Sequence, residues 1–214
     1  MKILVTICLA LSLSACGTVQ RVQYSVLEKA GIHKRDILVD RIEKTSETQQ
    51  ETKEQFQSAY EELASLVNVD GGSLEKKYKR MAKAVSASEE QAQELDDRIK
   101  SVNEVAGALF KEWQQELIEY QSASLRRTSE ANLNSTKQRY AVIYSKMQAS
   151  QQRVEPILRV LQDNTLYLKH NLNARAVNSL SSEVLVIEDK VAILIQQMEA
   201  SINESKNFID AMTK

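Results

Sequence analysis

Lys169, His170, Asn171, Asn173 and Arg175 form the densest group of side chains in this chain that could bind charge. They lie in the stretch Leu166-Tyr167-Leu168-Lys169-His170-Asn171-Leu172-Asn173-Ala174-Arg175. An ammonium, an imidazole and a guanidinium beside carboxamides could hold an anion or a polar partner. The competing reading is structural. Leu166, Leu168 and Leu172 would face a core on one helix that also carries Asn178, with the polar residues in water. Elsewhere the ingredients of catalysis are missing. His33 and His170 are far apart, and neither belongs to a two-histidine zinc motif. The one glycine pair, Gly71-Gly72, is not followed by the Gly-Lys-Ser/Thr of a phosphate loop. Val69-Asp70-Gly71-Gly72 lacks the alternating acids of a calcium loop. Arg126-Arg127 reads as a solvated face, and Trp113 and Tyr120 as seam residues. The expectation is a binding or structural protein without enzyme activity, cofactor or metal.

The other reactive group is a thiol. Cys8 and Cys16 are the two cysteines. Lys2 gives a short basic start, and Ile3–Leu13 is an apolar run too short to span a bilayer as a permanent helix. Leu13-Ser14-Ala15-Cys16 follows and resembles the lipobox of bacterial lipoproteins. That resemblance implies diacylglycerol on the Cys16 thiol, removal of residues 1–15 as a signal peptide, and acylation of the new amine. The competing reading is an ordinary cleaved signal with Cys16 there by coincidence. Two or three acyl chains hold a membrane stably where one is marginal. Gly17 stands where, in the Gram-negative sorting pattern this resembles, Asp retains a lipoprotein in the inner membrane. The implied address is therefore the outer membrane, facing the periplasm. If residues 1–15 leave, Cys8 leaves with them, so neither a disulfide nor a cysteine metal site is expected.

Bulk charge agrees with a lipid tether and no other membrane or nucleic-acid signal. The full chain carries 28 basic and 29 acidic residues, a net charge of −1. Losing Lys2 leaves 27 against 29, or −2. Such a chain has no bulk drive toward nucleic acid and no polybasic segment to reinforce an anchor.

Such features must be carried by long helices. With Pro 1 and Gly 5 the chain has few turns, and 27% charged residues with abundant Gln, Ala, Glu and Lys favour helix. Residues 16–32 read as a lipidated N-terminus and short stalk, containing Val19, Val22, Tyr24, Val26 and Leu27 and ending at Gly31. Residues 33–214 read as one long helical domain. Its first helix should start near Asp36 as N-cap. Its seam is Ile42, Thr45, Gln49, Thr52, Phe56, Ala59, Leu63 and Leu66, in alternating steps of three and four. Asn68–Ser73 is the clearest turn, with Ser73 as the next cap. The second seam is Leu74, Tyr78, Met81, Val85, Ser88, Ala92, Leu95, Ile99, Val102, Ala106, Leu109 and Trp113, continued by Leu117 and Tyr120. A helix over 74–120 would be roughly 70 Å long, so the body must be elongated.

Residues 121–137 fit either a kinked helix or a loose turn. Leu133, Thr136, Tyr140, Ile143, Met147, Ser150, Val154 and Ile157 then resume the heptad, and Pro156 should kink that helix or start another. The last helix has three apolar stripes. One is Val177, Leu180, Val184, Ile187, Val191, Leu194 and Met198; the second is Leu185, Ala192 and Ile195; the third is Val186 and Ile193. A surface that wide predicts a central helix touching at least two others. Glu188-Asp189-Lys190 excludes a membrane span there.

Two blocks carry a wider resemblance. Tyr24-Ser25-Val26-Leu27-Glu28-Lys29 with Gly31–Asp36, and Leu168–Ala174, resemble the domain of unknown function 2959 family of Gram-negative lipoproteins, over essentially the whole mature chain. The resemblance implies a helical envelope protein and assigns no catalytic or binding residue. The expected fold is all-α: an elongated antiparallel bundle of three to four long helices. The expected partners are the lipid bilayer, through acylated Cys16, and an envelope protein or the cell wall. One role is structural or scaffolding; the other is modulation of an envelope enzyme through residues 166–175. Self-association through an unsatisfied seam, such as the Leu74–Trp113 stripe, stays open.

Overall fold

The computed structural model describes residues 33–67 and 73–213. Four long helices and one short one account for nearly all of them: α1 (Lys34–Val67), α2 (Leu74–Glu116), α3 (Ala123–His170), α4 (Ala174–Ser179) and α5 (Ser181–Thr213). The fold is all-α, as the turn-poor composition predicts.

Each long helix packs on its two chain neighbours in a square: α1 on α2, α2 on α3, α3 on α5, and α5 back on α1. Cross-helix contacts fix the direction. Lys34 pairs with Glu112 and Arg80 with Glu62, so α1 and α2 run antiparallel. Trp113 Nε1 donates to Ser129 Oγ, while Gln162 Nε2 donates to Glu89, so α2 and α3 do too. Lys146–Glu204 and Lys53–Glu199 orient α5 against both its neighbours. The result is an up-down-up-down bundle about 65–72 Å long, the length of α2 and α3 with 43 and 48 residues. Its surface ion pairs orient more than they stabilise.

The heptad seams form the core. All eight seam residues of α1 are buried, as are Met81, Val85, Ser88, Leu95, Ile99, Val102, Ala106 and Leu109 of α2. Ala92 and Trp113 are half-buried. The α5 stripe from Val184 to Met198 is buried, with Val177 and Leu180 preceding it.

Several expectations need correction. α5 touches α1 and α3, but no helix is central, because four helices around a square each have two neighbours. Its second and third stripes are therefore left partly in water, Leu185 at 66% exposure. The first helix begins at Lys34, with Asp36 inside its first turn and not capping it. Ser73 occupies the N-cap of α2, but its hydroxyl makes no capping bond. The turn residues 68–72 lie outside the described residues. α2 stops at Glu116, so Leu117 is its C-cap and Tyr120 is exposed rather than on the seam. The break thus falls at 117–122, and residues 123–137 are helix. Ser122 starts α3, its Oγ accepting from Leu125 N at 3.3 Å. Pro156 sits inside α3 and starts no new helix. It is exposed, where the ring does not disturb core packing.

Polar residues interrupt the core at mid-length. Thr45, Thr52, Ser88 and Ser205 are buried and each donates to the carbonyl four residues back. Gln49 reaches across the diagonal, Nε2 donating to Ser150 Oγ at 2.9 Å, and Ser150 Oγ donates to Met147 O. Gln49 Oε1 and Ser201 Oγ find no hydrogen-bond partner among the described residues. An orphaned buried carbonyl costs about 1–3 kcal/mol, more than the roughly 1 kcal/mol net of the Ser150 bond. Gln49→Met, of similar volume, is therefore expected to raise stability by about 1 kcal/mol, read as a higher urea midpoint. A lower midpoint would show that the carbonyl is satisfied after all.

Toward the α3 start, Tyr140 joins three helices. Its ring meets Phe110 edge-on at 5.5 Å, Phe208 edge-on at 6.4 Å and Tyr144 stacked at 5.7 Å. Its hydroxyl donates to Asn103 Oδ1 at 3.1 Å. Burial, with a smaller contribution from Tyr144, pushes the phenol above its ordinary value and keeps it a neutral donor.

Candidate functional site

The 166–175 segment lies at the end of the bundle where α1 finishes and α2 begins. It is not one helix but two helix ends meeting at a corner. α3 ends at His170, residues 171–173 turn, and α4 begins at Ala174. Lys169 and His170 occupy the last turn of α3, where the Lys169 ammonium opposes the negative end of the helix dipole. Both are exposed, as is Arg175. None of the three forms an ion pair among the described residues.

The asparagines build the corner. Asn171 N–H donates to Leu168 O at 3.1 Å, and its Nδ2 to Tyr167 O at 3.0 Å. Asn173 is the N-cap of α4: its Oδ1 accepts from Ala176 N at 3.0 Å. Asn178 lies in α4, beyond the break, and so is not on the helix of His170. Of the three leucines expected in the core, Leu168 is fully buried, but Leu166 is 61% exposed and Leu172 is exposed as well. The reason is the corner itself. Leu168 continues the Ile157–Leu161 face of α3, Leu166 lies off that face, and Leu172 lies beyond the helix.

The structure thus splits the predicted group. Asn171 and Asn173 shape the chain, and Lys169, His170 and Arg175 project into solvent around it. What sequence reasoning missed is the apolar surface nearby. Leu166 and Tyr167 of α3, Leu172 of the corner, and Leu185, Val186 and Ile193 of α5 are all exposed towards this end. Single exposed leucines are ordinary, but several towards one end, with Lys169 and Arg175 exposed there too, suit a partner. The signal was present as the extra stripes of the last helix.

Among the described residues no group of His, Cys, Asp and Glu could hold a metal ion. No helix among them is long and apolar enough to cross a membrane. At the opposite end, Arg35, Trp113, Asn132, Arg139 and Met212 line an open groove of about 390 Å³. Cys16 and the 16–32 stalk lie outside the described residues.

The fold and its surfaces define an all-α, up-down four-helix bundle whose buried side chains build packing layers. The chain belongs to the family described as Protein of unknown function (DUF2959), whose profile matches residues 23–212. No curated protein matches the chain, and no solved structure does.

Proposed function

We propose that this protein is a non-enzymatic spacer of the bacterial envelope: lipid-anchored at Cys16, with a structural or scaffolding role. The observation that carries the reading is topological. Lys34, from which the chain leads back to Cys16, lies towards one end of a bundle about 65–72 Å long, roughly 18 Å short of the tip between α2 and α3. The 171–173 corner, with its exposed cations and apolar side chains, lies at the other. An anchor at the first end would hold the second well away from the lipid. The Gly17 pattern favours the outer membrane, with the bundle facing the periplasm.

A second reading rests on the same far end. Lys169, His170 and Arg175 beside Leu166 and Leu172 would suit a lipoprotein that modulates an envelope enzyme by contact. A photo-crosslinking residue at Leu166 or Arg175, compared with one at Val142 in mid-bundle, tests both in intact cells. The expected result is an envelope protein or cell-wall adduct from the far-end positions and much less from 142. No adduct from any face would overturn the scaffolding and modulating readings alike. An enzyme as the captured species would favour modulation.

A further inference from the structure

The connection between α2 and α3 carries the most exposed large apolar side chain among the described residues. Ile118 is 84% exposed and Leu125 60%, with Tyr120 exposed between them. This connection is at the end where α1 begins, and it extends past that end. The Gln49–Ser150 bond sets residue 34 level with residue 135, yet α3 starts at Ala123. Twelve residues at 1.5 Å each put the tip roughly 18 Å beyond the start of α1. α5 stops near the start of α1, since Met212 and Arg35 line the same groove.

We propose that residues 117–127 are a lipid-contacting foot, seated on the bilayer that holds the acylated Cys16. This rests on the anchor reading above. Three observations select lipid as the occupant. Among the described residues, the tip is the foremost part of the end from which the chain leads back to Cys16. Residues 17–33 can reach up to roughly 60 Å, so the tether permits contact. The chemistry also suits an interface: Ile118 and Leu125 can enter the acyl boundary, Tyr120 can sit at headgroup level, and exposed Arg126 and Arg127 can meet phosphates. Exposed Glu119 and Glu130 offset these cations, so apolar insertion and not bulk attraction carries the contact.

The test uses the acylated full-length protein in phosphatidylethanolamine–phosphatidylglycerol vesicles. Ile118→Cys and, separately, Val142→Cys carry a polarity-sensitive fluorophore; both native positions are exposed. Position 118 is expected to shift to shorter wavelength and be quenched by a bilayer-borne quencher, while 142 keeps its aqueous emission. Acylated protein in which 118 is quenched no more than 142 would overturn the foot alone. A wavelength shift at 118 without quenching would mean a protein neighbour, such as a second copy, and would also overturn it. A mass without acyl chains would overturn the anchor reading and the foot together.

Discussion

Cys16→Ser is expected to move the protein from the membrane fraction to the soluble fraction while leaving its helical content unchanged. Each buried methylene of an acyl chain contributes about 0.8 kcal/mol, so losing two or three chains removes essentially all anchoring. No helix among the described residues could replace them by crossing the membrane. The chain also has no polybasic run to hold a lipid surface electrostatically. A foot of Ile118, Tyr120 and Leu125 would add weak, reversible contact only. The described helices span residues 34–213, and their buried seams are expected to hold without the acyl chains, so circular dichroism should not change. The measurement is fractionation of cells expressing each form. Retention of the serine form in the membrane would sink the anchor reading.

The second large effect is internal. Phe56→Ala is expected to cost about 3–5 kcal/mol, because a fully buried ring leaves a cavity that a close-packed bundle cannot collapse. Helix register sets Phe56 in one layer with Val85, Ile157 and Leu194, all buried and one from each long helix. The loss would therefore loosen all four helices together. Against a typical total of roughly 5–15 kcal/mol, that is a large share. Urea unfolding should show a lower midpoint at unchanged slope. Ile118→Ala, at an exposed tip, should stay within about 0.5 kcal/mol of the parent. Equal effects at 56 and 118 would contradict the packing described here.

The contrast between these two positions also shows what the sequence could reveal. Phe56 was legible because its seam repeats every three and four residues, and that period admits one buried face. Ile118 was not. The residues around it, Gln115-Glu116-Leu117, are good helix formers, and the turn uses neither Gly nor Pro. Its marker is Ser122, a cap whose meaning depends on α2 having already stopped. The three stripes of α5 misled for a related reason. Apolar width reports how much surface could be buried, and only the number of neighbours decides how much is. In the 166–175 segment, composition singled out the right place and suggested the wrong geometry. Asn171 and Asn173 looked like ligands because carboxamides bind polar groups; here the polar groups they bind are the backbone of their own corner.

The square arrangement also bears on how the chain reaches its native state. α1 with α2, and α2 with α3, pair across short connections, so each hairpin closes a small loop and loses little chain entropy. Only the meeting of α5 with α1 closes a loop spanning nearly the whole domain. Low contact order of this kind goes with folding in microseconds to milliseconds. A chain delivered N-terminus first could assemble α1 and α2 before α5 arrives, leaving the closure of the square as its final step.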